Sequence, residues 1–90
     1  MKTYIIERDI PKVGTLDRQQ YKEASAKSNA ALKQLGWDIQ WVESFVARDK
    51  TFCVYRAASE DNIRRHAELS GFPATRITEV FRKIDPTTAT

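Results

Sequence analysis

The sequence contains a single cysteine, a single histidine, three glycines and three prolines among its 90 residues. One cysteine excludes a disulfide within the chain, and no Cys-x-x-Cys or His-x-x-x-His pair supplies a local metal motif. The isolated glycines Gly14, Gly36 and Gly71 exclude a glycine-rich phosphate loop. No apolar run is long enough to cross a bilayer. These absences leave few motifs that by themselves define a site.

The charge is balanced, with 15 basic and 12 acidic residues and a formal net charge of +3. Acids and bases are interleaved along the chain, which is typical of a solvated surface and not of a nucleic-acid patch. No charged and apolar leader precedes the first strand. We therefore expect one cytoplasmic domain over residues 1–90, with a frayed tail at 86–90, that binds neither nucleic acid nor membrane.

The hydrophobic pattern predicts the order β-α-β-β-α-β. Apolar residues three and four apart, from Tyr21 to Leu35, indicate a long helix with Thr15 as its N-cap and Gly36 at its end. Ser59 and Gly71 bracket a second, shorter helix. The predicted strands are Lys2–Ile10, Trp37–Val46, Thr51–Ala57 and Arg76–Ile84. This order predicts an α+β, ferredoxin-like fold, an antiparallel four-stranded sheet with both helices on one face.

Alternation along strands predicts which side chains share a face of the sheet. The even positions are apolar, so we expect them under the helices: Tyr4, Ile6, Val42, Val46, Phe52, Val54 and Val80. The odd positions mix apolar groups with acids, so we expect them on the open face, which no helix covers: Ile5, Glu7, Trp41, Glu43, Phe45, Cys53, Tyr55, Ile77, Glu79 and Phe81. A β-bulge would reverse this assignment within a strand.

The predicted open face is too apolar for a soluble monomer. We expect two such faces to meet in a homodimer, as a dimeric α/β barrel, and to enclose an acidic chamber walled by aromatic residues. Its ligand pocket would consist of Trp41, Tyr55, Glu7 and Glu79. In the alternative, the glutamates lie at strand ends in solvent and the aromatic residues only pack in the interface.

Cys53 and His66 carry the remaining chemistry. Thiolate, imidazole and carboxylate together suit nickel, zinc or copper. In the alternative, Cys53 is a small buried hydrophobe and His66 a structural group. Their predicted faces also keep them apart, which argues against a nucleophile and base pair. RNA binding through strand aromatics is disfavoured, because carboxylates on the open face would repel phosphates.

The sequence resembles a bacterial family of small proteins catalogued as a domain of unknown function, number four-two-four-two. The resemblance runs nearly end to end and rests on YIIERDIP (Tyr4–Pro11), IQWVESFV (Ile39–Val46), FCVYRA (Phe52–Ala57), IRRHAELSGFPATRITEV (Ile63–Val80) and IDPTT (Ile84–Thr88). It implies a ferredoxin-like domain that pairs into an α/β-barrel homodimer, with nickel binding as described for one member. His66 matches the family's histidine before the Gly-Phe-Pro turn, and Glu43, Cys53 and Tyr55 match its central hairpin.

Three hypotheses follow. The first is a non-catalytic homodimer that binds nickel or another divalent transition metal through Glu43, Cys53 and His66. The second is a dimeric barrel that binds or transforms a small organic ligand in the acidic chamber, with a carboxylate as base. The third is a purely structural module. The carboxylates favour the first two, and the absence of a paired nucleophile and base disfavours catalysis.

Overall fold

The computed structural model describes residues 1–90 and confirms the predicted element order. Its strands and helices are β1 (Lys2–Asp9), α1 (Arg18–Leu35), β2 (Ile39–Val46), β3 (Lys50–Ala57), α2 (Glu60–Ser70) and β4 (Arg76–Val80). The strands form one antiparallel sheet in the order β2-β3-β1-β4. Short 3-10 turns occupy Val13–Thr15, Gly36–Asp38 and Pro86–Ala89. The last of these lies within residues 86–90, the tail that was predicted to be frayed.

Helix α1 begins later than predicted because a stronger cap lies downstream. Asp17 accepts a hydrogen bond from the Gln20 backbone, and the Gln20 side chain accepts one from the Asp17 backbone. This reciprocal capping box satisfies two backbone donors at the helix start. Thr15 lies instead in the preceding 3-10 turn, where its hydroxyl donates to the Lys12 carbonyl over 2.7 Å.

Both helices cover one face of the sheet and enclose a small core. Ile6 from β1 and Ile63 from α2 are almost completely buried at its centre. Leu32 and Leu35 of α1 pack against the same cluster. The buried core members are Tyr4, Ile6, Ile39, Cys53, Tyr55, Ala57 and Ile63.

The strand register corrects the predicted faces of β3 and β4. Tyr4 lies opposite Tyr55 and Ile6 opposite Cys53. Residues directly opposite in an antiparallel pair share a face, so Cys53 and Tyr55 lie under the helices. The β1–β4 pairing likewise puts Ile77 and Glu79 on the helix-covered face. Correspondingly, the register moves three apolar residues that were predicted to be covered to the open face: Phe52, Val54 and Val80.

A bulge in β2 divides that strand between the two faces. The register shifts between Trp41 and Glu43, so that Trp41 lies opposite Tyr55 while Glu43 lies opposite Val54. Trp41 therefore belongs to the helix-covered face, contrary to prediction, and Glu43 keeps its predicted place on the open face. Val42 was predicted to lie under a helix, but at the bulge it is 53% exposed. An extra residue in one strand reverses the alternation beyond it, which explains the error.

The open face of the folded chain is mixed in character. On this face Phe52 of β3 has Phe45 of β2 on one side and Glu7 of β1 on the other. Lys50 crosses this face and pairs with Glu7 over 3.4 Å and with Asp9 over 3.6 Å. Phe45 is 58% exposed. The predicted combination of aromatic and acidic side chains thus persists on this face, with Phe45 as predicted and Phe52 in place of Trp41 and Tyr55.

Candidate functional site

A buried polar cluster between the helices and the sheet joins side chains from α1, α2 and β3. Ser28 of α1 lies 3.4 Å from the Tyr55 hydroxyl of β3 and 3.2 Å from Nε2 of His66 on α2. The rings of Tyr55 and His66 are 5.2 Å apart and tilted by 51°. The sequence prediction kept Cys53 and Tyr55 apart from His66, but the register of β3 brings all three side chains into the same layer.

The local sequence of α2 explains the depth of His66. Ile63, His66 and Ser70 follow one another at spacings of three and four, which places them on one side of a helix. All three are buried. Their stripe faces α1, where the small side chain of Ser28 leaves room for an imidazole. His66 lies at the centre of this buried side of α2, between Ile63 and Ser70.

Hydrogen bonding and burial fix the protonation states of this cluster. Nε2 of His66 lies 3.3 Å from the Ser28 carbonyl oxygen, so it carries the proton and donates. Burial lowers the pKa of His66, partly opposed by this hydrogen bond, and the Arg8 charge lowers it further. Burial raises the pKa of Tyr55, while the hydrogen bond with Ser28 and the positive charge of Arg8 lower it by smaller amounts. Both rings are therefore neutral at pH 7, and Nδ1 of His66 has no hydrogen-bond partner.

Arg8 is a candidate site residue that sequence analysis missed. Only 3% of it is exposed. One of its terminal nitrogens, Nη1, donates to the carbonyls of Pro73 (2.9 Å) and Phe72 (3.4 Å), and Cζ lies 5.8 Å from the centroid of the Tyr55 ring. The other terminal nitrogen, Nη2, is buried without a partner. The alternation that predicted buried Tyr4 and Ile6 continues to position 8 and could have found it.

A cavity of about 150 Å³ lies beside this cluster, between the first half of α1 and strands β2 and β3. Ten of its 15 lining residues are hydrophobic, and Trp41 and Tyr55 are among them. The Trp41 indole donates to Ser44 over 2.9 Å, which fixes that wall. Polar groups reach the cavity from Arg8, Ser28, Thr51 and Cys53, among others.

The other two predicted pocket residues lie elsewhere. Glu7 is on the open face with Lys50, and Glu79 is on the helix-covered face, where its carboxylate lies 3.8 Å from Lys2. Neither glutamate lines the cavity. The predicted set therefore divides into an aromatic pair at the cavity and two separated carboxylates.

The predicted metal ligands are not brought together within one chain. Glu43 is exposed on the open face, whereas Cys53 and His66 are buried beneath the helices. The Cys53 thiol lies 3.5 Å from the Thr51 hydroxyl. No group of three or more histidine, cysteine, aspartate or glutamate side chains is arranged to hold a metal ion. Their separation has the same cause as the changed faces, since Cys53 and Glu43 lie on opposite sides of the sheet.

No helix of the structure has the length and apolarity needed to span a membrane.

No protein with a curated description matches the sequence. Among solved structures, the crystal structure of SCO4226 from Streptomyces coelicolor A3(2) is similar, with a TM-score of 0.75 and 16% identity over 91% of this chain and 99% of that one. At that identity the likeness shows the fold alone. Residues 4–80 match the sequence family described as nickel responsive protein SCO4226-like. Since the match covers most of the sequence, the chain belongs to the SCO4226-like family of nickel-responsive proteins.

Proposed function

We propose that this chain is a cytoplasmic, nickel-responsive protein that binds nickel or a similar divalent ion as a homodimer. The observation that carries the proposal is the family match, whose description is nickel responsive and which spans residues 4–80. The similar fold of SCO4226 is consistent with it.

The side chains of one chain do not fit a resident metal ion. His66 offers a free Nδ1, but the ring is completely buried and no carboxylate or thiolate completes a ligand set around it. A metal site in this protein therefore needs ligands from two chains. Glu43 is the best available ligand, because it is exposed on the open face and forms no ion pair.

The open face also supplies a reason to dimerise. Phe45 on this face and Val42 at the bulge of the edge strand β2 are 58% and 53% exposed. Apolar area of this kind is typically covered by a partner, and two copies related by a twofold axis would present the same patch to each other. Glu7 and Glu43 of both copies would then approach one another. At a shared oxygen site, nickel is expected to bind more tightly than manganese, iron or cobalt and less tightly than copper, so copper is the competitor to compare with nickel.

Native mass spectrometry of untagged protein, with nickel, zinc and copper added in turn, tests this proposal. We expect a dimer that takes up nickel, and Glu43→Gln should lose that uptake while Glu68→Gln, an exposed acid of α2, should keep it. Bound nickel should stabilise the fold by about 2.7 kcal/mol at a hundredfold excess over Kd. A dimer that binds none of the three ions would refute the metal site, and a bare monomer would refute the shared interface.

Binding of a small organic molecule is a second candidate function, favoured by the apolar cavity beneath α1. Sequence analysis placed such a ligand in an acidic chamber on the open face. The aromatic residues predicted to hold it, Trp41 and Tyr55, line the cavity on the opposite side of the sheet. This candidate requires no metal and is independent of the nickel proposal.

A further inference from the structure

We propose that the cavity beneath α1 binds a small organic acid with one carboxylate and a largely apolar body, and that Arg8 recognises the carboxylate. This inference rests on the second candidate function and gives it a ligand class. It does not depend on nickel.

The first support is the unmatched charge of Arg8. A guanidinium stays protonated at any physiological pH, and burying a charge costs free energy unless a counter-charge and hydrogen bonds replace water. Arg8 is 3% exposed, yet none of the five ion pairs in the structure includes it. Its neighbours are two backbone carbonyls, the ring and hydroxyl of Tyr55 and the neutral His66, none of which carries a negative charge, and Nη2 makes no hydrogen bond.

The second support is that no group of the protein supplies the missing negative charge. The 15 residues around the cavity include no aspartate or glutamate, and Arg8 is their only charged member. Burial keeps the pKa of Tyr55 raised, so its phenol stays neutral and can donate a hydrogen bond. The neutral His66 adds no second positive charge. The cavity thus presents one cation, and its unpaired Nη2 can donate a charge-assisted hydrogen bond to a carboxylate oxygen.

The walls and the volume limit the rest of the ligand. Val13, Leu16, Ala24 and Trp41 form apolar surface that would disfavour a polyanion such as a nucleotide. An apolar cavity of about 150 Å³ is known to hold benzene, and the volume here is also about 150 Å³. A single aromatic ring or a short aliphatic chain is therefore the size of body that fits.

Calorimetric titration and two-dimensional NMR of the full chain, freed of metal with a chelator, test the proposal. The probes are benzoate and butyrate, each compared with its neutral amide, benzamide or butyramide. We expect at least one acid to bind saturably and to shift resonances of Trp41 and Tyr55. Its amide should bind about 10- to 100-fold more weakly, because a hydrogen bond to a charged group is lost.

Two variants localise the effect. Arg8→Met, which keeps an unbranched stem, should weaken acid binding by about 10- to 100-fold and remove the preference over the amide. The matched control Arg65→Met removes an exposed arginine of α2 and should change nothing. Ala24→Leu fills the cavity while keeping Arg8, and it should abolish binding even if Arg8→Met does not fold.

Three results would overturn the proposal. One is the absence of saturable binding with both acids. Another is binding that survives Ala24→Leu, which would place the ligand elsewhere. The third is equal affinity for acid and amide, which would leave a ligand-binding cavity in place and refute only the recognition of carboxylate by Arg8. None of these outcomes bears on nickel uptake.

Discussion

The only histidine of the chain should control how stability depends on pH in the weakly acidic range. His66 is completely buried, with Nε2 donating to the Ser28 carbonyl. Desolvation by burial lowers its pKa from the ordinary value of 6.5, and the nearby Arg8 charge acts in the same direction. The folded protein therefore keeps the imidazole neutral at pH values where the unfolded chain protonates it.

The sign and the size of the effect follow from this difference. Below about pH 6.5 the unfolded state binds up to one proton more than the native state, so the free energy of unfolding falls as the pH falls. The fall continues until the pH reaches the folded pKa of His66. For one proton the limiting slope is about 1.4 kcal/mol per pH unit. Ordinary carboxylates titrate mostly below this range, with pKa values near about 4.

Urea unfolding of metal-free protein at steps from about pH 7.5 to about pH 5 measures this slope, in the range where histidine titrates. His66→Gln is the matched variant, because an amide can still donate to Ser28 but does not titrate here. We expect the wild-type protein to lose stability across the range and the variant to show a much flatter profile. Parallel profiles for the two proteins, or a wild-type stability that is constant with pH, would show that burial of neutral His66 does not control the dependence.

Four further substitutions test local features of the fold. Gly14→Ala should cost about 1–3 kcal/mol, because the new Cβ would lie 2.7 Å from the Ala47 carbonyl oxygen; an unchanged urea midpoint would contradict that close approach. Asp17→Ala should cost about 1 kcal/mol of unfolding free energy by removing the capping box, and a neutral effect would argue against it. Gly71→Ala should lower the free energy of unfolding by about 1–2 kcal/mol, since φ is +77° there; an unchanged melting temperature would contradict the expected strain. Phe45→Lys should convert the proposed dimer to a monomer in sedimentation analysis with little loss of monomer stability, and a persisting dimer would place the interface elsewhere.

Local sequence determined the elements of this protein. The periods of three to four and of two distinguished helices from strands, and Gly36 and Gly71 marked both helix ends as predicted. The elements and their order then sufficed for the fold, because short connections and right-handed crossovers leave few arrangements. The observed start of α1 differs from the predicted one because two nearby residues can cap a helix, and Asp17 caps α1 where Thr15 was predicted to.

Only the tertiary structure decided which side chains meet. Counting alternate residues gives the faces of one strand, but how one strand aligns with the next depends on the register set by turns and packing. That register, with Tyr4 opposite Tyr55, moved Cys53 and Tyr55 beneath the helices, and the bulge after Trp41 brought that ring to the same side. The carbonyls that hold the buried Arg8 lie more than sixty positions away in the chain, and residues from α1, β1, β2, β3 and the connecting loops line the cavity beside it. Contacts between residues so far apart in the chain produce no local sequence pattern, so the sequence alone could not show which side chains form the site.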